Sequence, residues 1–93
     1  MVKHIVLWNL ADPAHKDENA RHMKELLEGL VGVVPGLLQA QVGQGFAGFD
    51  VALVSNLKDR DALDVYQNHP AHLKVKEFVH SVVCERVSCD FEY

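Results

Sequence analysis

Cysteine is scarce in this chain: two residues, Cys84 and Cys89, among 93. They lie five positions apart in a stretch that reads as one strand, so they face opposite sides, about 16 Å apart at strand rise. A disulfide tolerates at most about 7 Å between Cα atoms, so an internal bridge is excluded. Two unpaired thiols point to a reducing, cytoplasmic setting. Basic charge is also thin. Lysine and arginine total 9 against 13 acidic residues, for a net charge of −4. They do not cluster, which argues against nucleic acid and against an anionic membrane surface as partners. No apolar run has the length needed to span a bilayer. The N-terminus runs from Met1 straight into strand-like sequence without a signal-peptide layout. The glycines at 43, 45 and 48 follow a strand but lead into another, so they do not form a phosphate loop at a helix start. Low-complexity runs and internal repeats are absent.

What is present is apolar residue in periodic order. Hydrophobic residues make up 48% and charged residues 24%, which suits one domain over residues 1–93. A chain this short buries a modest share of its surface alone, so association would help it. Val2 to Leu10 alternates as a strand whose two faces, His4-Val6-Trp8 and Ile5-Leu7, are both apolar at the centre. Asp12-Pro13 opens a helix carrying Ala20, Met23, Leu26, Leu27, Leu30, Val31 and Val34, weakened by Gly32 and ended by Pro35-Gly36. Leu37 to Gly43 and Phe49 to Asn56 read as a hairpin. A short helix then starts near Asp59 and stops at Asn68-His69, because a residue before proline avoids helical geometry. Pro70 starts another helix through Val82, and Val83 to Phe91 is a last strand.

The order β-α-β-β-α-β predicts an α+β, ferredoxin-like protomer: an antiparallel four-stranded sheet with helices on one face. The other face is then open. On this reading His4, Val6 and Trp8 lie on it, an apolar patch of the kind that marks association. Two such sheets packed together would bury it in a dimeric α/β barrel, so a homodimer is expected.

Six histidines are a high count for this length. His15, His22 and His80 fall on solvated helical faces and are given no role. His4, His69 and His72 are placed differently. The densest cluster is Tyr66-Gln67-Asn68-His69-Pro70-Ala71-His72, at a helix–helix junction stiffened by Pro70. His72 falls in the first turn of the last helix, where the dipole favours neutral imidazole, the form that accepts a proton. Tyr66 supplies a hydroxyl that can orient the imidazole or stabilise an oxyanion. A structural account stands beside this one: His69 as a cap, His4 as a hydrogen-bonded core residue, Tyr66 as packing. His69-x-x-His72 lacks the third ligand a zinc site wants, so no metal is expected. The two cysteines have no catalytic motif and read as small fillers.

Val2-Lys3-His4-Ile5-Val6-Leu7-Trp8, Val34-Pro35-Gly36-Leu37, Tyr66-Gln67-Asn68-His69-Pro70-Ala71-His72-Leu73 and the tail Arg86-Val87-Ser88-Cys89-Asp90-Phe91 together resemble the stress-responsive A/B barrel (Dabb) domain. The resemblance covers nearly the whole chain. It implies a ferredoxin-like protomer and a homodimeric barrel. One branch of the family consists of polyketide cyclases, among them olivetolic acid cyclase, in which a Tyr and a His act in the cavity. By position these resemble Tyr66 and His72, and an early-strand pocket histidine resembles His4. Phe91 stands where the family often has tyrosine. The resemblance implies a small-molecule pocket lined also by Val6, Trp8 and His69. Its chemistry would be a cofactor-free lyase or cyclase reaction on a carbonyl, polyketide-like substrate, or alternatively a monooxygenase reaction. In the first case His72 is the base, Tyr66 orients it and His4 polarises the carbonyl; no cofactor is needed. The rival readings are a non-catalytic ligand-binding stress protein and a dimeric module whose value is its assembly.

Overall fold

The computed structural model describes residues 1–93. Strand β1 (Val2–Leu10) is followed by a 3-10 turn (Pro13–His15) and helix α1 (Lys16–Glu28). The hairpin β2 (Leu37–Gln44) and β3 (Val51–Leu57) comes next, then α2 (Arg60–Asn68), α3 (Pro70–Val82) and β4 (Val83–Glu92). The sheet order is β2-β3-β1-β4, and every neighbouring pair is antiparallel. This is the ferredoxin-like α+β arrangement expected from the element order.

The helix boundaries follow from capping. Asp12 accepts from the Ala14 N–H and Asp59 from the Ala62 N–H, so both aspartates hold helix starts. Helix α1 ends at Glu28, short of Val34. Gly29 and Gly32 fall within four residues, and Gly32 sits at φ 87°, which breaks the helical run. Leu30 and Val34 still enter the core, on a turn closed by the Val34 N–H to Leu30 C=O bond. Strand β3 starts at Val51 because Phe49 and Asp50 belong to the hairpin turn: the Gly45 N–H donates to the Asp50 C=O at 2.7 Å. A Cβ on Gly45 would meet the Phe49 carbonyl oxygen at 2.0 Å, so the turn takes no side chain there. Asp50 anchors the turn by accepting from the Leu10 N–H and from Lys16 Nζ, which hold its carboxyl below the usual carboxylate range.

The main correction concerns the two faces of the sheet. Val2, His4, Val6, Trp8 and Leu10 are all buried, and they lie beneath the helices rather than on the open side. Their partners across β3 (Leu57, Ser55, Leu53 and Val51) are buried with them. Met23 and Leu27 of α1 and Val75 and Val79 of α3 complete this core. The open face instead carries Ile5 and Leu7 of β1, Ala52 and Val54 of β3, and Val87, Cys89 and Phe91 of β4. Val54, Val87 and Phe91 are 37%, 44% and 45% exposed, large apolar side chains in one surface patch. Both faces of β1 were apolar in sequence, and alternation alone does not say which one the helices cover.

Candidate active site

Residues directly opposite in an antiparallel pair share a face. On the helix side, β1 and β4 therefore set His4 beside Asp90, Val6 beside Ser88 and Trp8 beside Arg86. The helices lie over β1 to β3 and leave these β4 residues exposed. The result is a cavity of about 440 Å³ between sheet and helices, running outward over β4. Its floor and inner wall are Val6, Trp8, Leu27, Leu53, Val75 and Val79; its polar residues include His4, Tyr66 and His72 within, and Lys76, His80 and Arg86 toward solvent.

Tyr66 ends the core-facing side of α2, and His72 lies in the first turn of α3. Between them His69 leaves helical geometry at ψ 135° and Pro70 restarts the helix. The break folds the two rings onto each other, with centroids 4.0 Å apart and planes 22° from parallel. His4 meets the Tyr66 ring edge-on at 5.9 Å. Tyr66, His72 and His4 are 1%, 7% and 4% exposed, so the three rings form one buried group at the cavity wall.

The three rings differ in their partners. His4 Nδ1–H donates to the Asp90 carboxylate, an assignment that follows from the carboxylate being an acceptor only. That bond fixes the ring and leaves Nε2 as the free nitrogen. His72 Nδ1 is buried and has no hydrogen-bond partner in the chain, and neither has Trp8 Nε1. Buried polar groups of this kind cost about 1–3 kcal/mol when unpaired, so both call for a partner from outside the chain. The His72 imidazole is pushed down to about 4, first by burial and then by the Lys76 ammonium one turn along α3. The carbonyls of Tyr66 and Gln67 act in the opposite direction. His72 is thus neutral at pH 7, as the sequence suggested, but burial is the leading cause. Burial likewise pushes the Tyr66 hydroxyl up to about 12, so it remains a donor at neutral pH.

Of the pocket residues named from sequence, Val6 and Trp8 line the cavity and His69 does not. The His69 ring turns back to accept from the Ala71 N–H at 3.1 Å and caps α3. His80, given no role from sequence, stands at the cavity mouth, whereas His22 packs edge-on against Phe78. Asp90, Arg86 and Lys76 were missed because their relation to the site exists only through strand register and helix docking. No three His, Cys, Asp or Glu side chains converge as a metal-holding group.

A four-stranded antiparallel sheet with helices on one face and a buried ring cluster between them defines the class as a small ferredoxin-like α+β protein. The chain belongs to the stress responsive A/B barrel domain (Dabb) family, whose profile matches residues 2–93. No curated protein matches the sequence. Among solved structures, a dimeric protein of unknown function with a ferredoxin-like fold from Bacteroides fragilis is similar. It is 26% identical with a TM-score of 0.89, over 99% of this chain and 95% of that one. A Dabb family protein from Mesorhizobium loti is 14% identical with a TM-score of 0.78, over 99% and 95%. An antibiotic biosynthesis monooxygenase shares the fold at 16% identity and a TM-score of 0.81, over 100% and 98%.

Proposed function

We propose that this protein is a homodimer whose protomers each bind a small organic molecule beside Tyr66, His72 and His4 and carry out cofactor-free acid/base chemistry on its carbonyl group. The observation that carries the reading is the unpartnered, neutral His72 Nδ1 in a cavity wall built from two further polar rings. In this reading His72 takes an acidic proton from the carbon next to the carbonyl. A lone imidazolium at this depth is disfavoured, but the proton transfer produces an enolate alongside it, so the charges arise as a pair. Tyr66 O–H donates to the developing oxyanion. His4, braced by Asp90, hydrogen-bonds the same oxygen or its neighbour. The substrate's own carbonyl delocalises the carbanion, so the step draws on no cofactor.

The test is hydrogen–deuterium exchange at the acidic carbon of a set of alkyl and aryl 1,3-dicarbonyl compounds, followed by NMR in heavy water. Wild type should accelerate exchange of at least one of them. His72→Ala should remove the acceleration, and Tyr66→Phe should reduce it about 10²-fold, as loss of one oxyanion donor does. The rate should be flat through neutral pH and fall as pH drops toward 4, where His72 protonates. Exchange that survives in His72→Ala rejects the assignment.

The dimer rests on the open apolar face and on the dimeric state of the Bacteroides fragilis relative. No helix is long and apolar enough to cross a membrane. Both cysteines are free and exposed on β4, which favours a reducing, cytoplasmic setting.

A further inference from the structure

The residues around the cavity mouth carry one sign of charge. Of the 14 lining residues none is acidic, although the chain as a whole has 13 acidic residues against 9 lysines and arginines. On α3, His72, Lys76 and His80 follow one another at intervals of four, so they form one stripe along the helix. Arg86 faces that stripe from β4, beside Trp8. Neither Lys76 nor Arg86 has a carboxylate partner. Lys76 Nζ reaches only the Gln67 carbonyl at 3.4 Å, and Arg86 Nη1 only the Ser88 hydroxyl at 3.4 Å. The lysine and arginine that do find acids, such as Lys24 with Glu28 and Arg60 with Glu92, lie elsewhere on the surface. Behind the cationic mouth the cavity is apolar, and deeper still Trp8 Nε1–H and His72 Nδ1 lack partners.

We propose that this site takes an organic carboxylate, held at the mouth by Arg86 and Lys76, with its apolar body against Leu27, Leu53 and Val79 and a second oxygen at Trp8 Nε1–H. A planar guanidinium presents two parallel N–H donors that match a carboxylate. Phosphate sites built from backbone donors need a free helix N-terminus, and that of α3 is already capped by His69. The volume lies at the small end of ligand sites, roughly 300–1,000 Å³, and suits a one-ring or short-chain acid. This deepens the reading of the preceding section, since it names the substrate class for the same cavity, but it stands on binding alone.

Trp8, the chain's one tryptophan, lines the cavity and reports on occupancy by its fluorescence. The experiment titrates the full-length protein with 4-butylbenzoate, the matching benzamide and the matching phenylphosphonate. The benzoate should bind at least about tenfold more tightly than the amide, a factor that corresponds to one charge-assisted contact. Arg86→Gln with Lys76→Gln should bring that ratio near one with the circular dichroism of the fold retained, since both side chains stand at the rim rather than in the core. Added salt should weaken the benzoate alone. Equal binding of acid and amide, an unchanged preference in the double variant, tighter binding of the phosphonate, or no binding of any probe would each overturn the proposal. The two readings fail separately. His72-dependent exchange on neutral dicarbonyls without carboxylate preference leaves the chemistry standing and removes the substrate class. Arg86-dependent acid binding without any exchange does the reverse.

Discussion

The two faces of the sheet are both apolar at the centre of β1 and have opposite fates. His4, Val6 and Trp8 are sealed under α1 and α3 with a cavity between them, while Ile5 and Leu7, one step away each time, lie on the uncovered side. The difference is set by what the flanking elements bring. On the helix side, β3 contributes Val51, Leu53 and Leu57, with Ser55 the one polar residue among them, its hydroxyl donating to the His4 carbonyl. On the open side, β2 contributes Gln39, Gln41 and Gly43 and leaves the patch confined to β1, β3 and β4. The outer strand β4 is the exception, since its helix-side residues Asp90, Ser88 and Arg86 are polar and stay exposed.

The sharpest break of this comparison uses adjacent residues of β3. Leu53 is 2% exposed and Val54 is 37% exposed. Leu53→Ala should cost about 2–5 kcal/mol in urea unfolding. Val54→Asp should keep the circular dichroism of the fold and halve the mass measured by light scattering. A Val54→Asp protein that stays folded at the wild-type mass would mean the open face is not the dimer surface.

The next effect is the pH dependence of the covered face. His72 in the fold protonates at about 4, below the ordinary imidazole value of 6.5. As pH falls the unfolded chain binds the proton first, so stability falls between about 6.5 and 4, by at most about 3 kcal/mol. His72→Ala should remove that slope in melting curves. Asp12, Glu28 and Asp50 are held below their ordinary carboxylate values, so their contribution is lost from about pH 5 downward and overlaps only the lower end of the window.

The smallest effect separates the two histidines of the His69-Pro70-Ala71-His72 segment. His69→Ala should cost about 1 kcal/mol, as a lost cap does, and leave carbonyl exchange and ligand binding untouched. Loss of exchange in His69→Ala with stability unchanged would show that this residue serves the cavity after all.

Element order, the caps Asp12 and Asp59, and the break at Asn68-His69-Pro70 were legible in the sequence, because each depends on neighbours within a few residues. Tyr66, His72 and His4 could be nominated from their local setting. Which face His4 occupies, and that Asp90 stands beside it and Arg86 beside Trp8, depends on pairing across more than 75 residues and on where the helices dock. Those are properties of the assembled sheet. The early end of α1 was signalled by Gly29, a residue whose effect within a long apolar repeat is easily outweighed.

The interruption at His69-Pro70 has a further consequence for how this stretch encodes geometry. In a continuous helix, residues 66 and 72 would project about 120° apart and about 9 Å along the axis, too far for ring contact. They stack at 4.0 Å because the helix is cut between them. The spacing from Tyr66 to His72 therefore carries meaning only together with the stop that divides it. A single uninterrupted helix with both residues intact would keep the letters of the motif and lose its word.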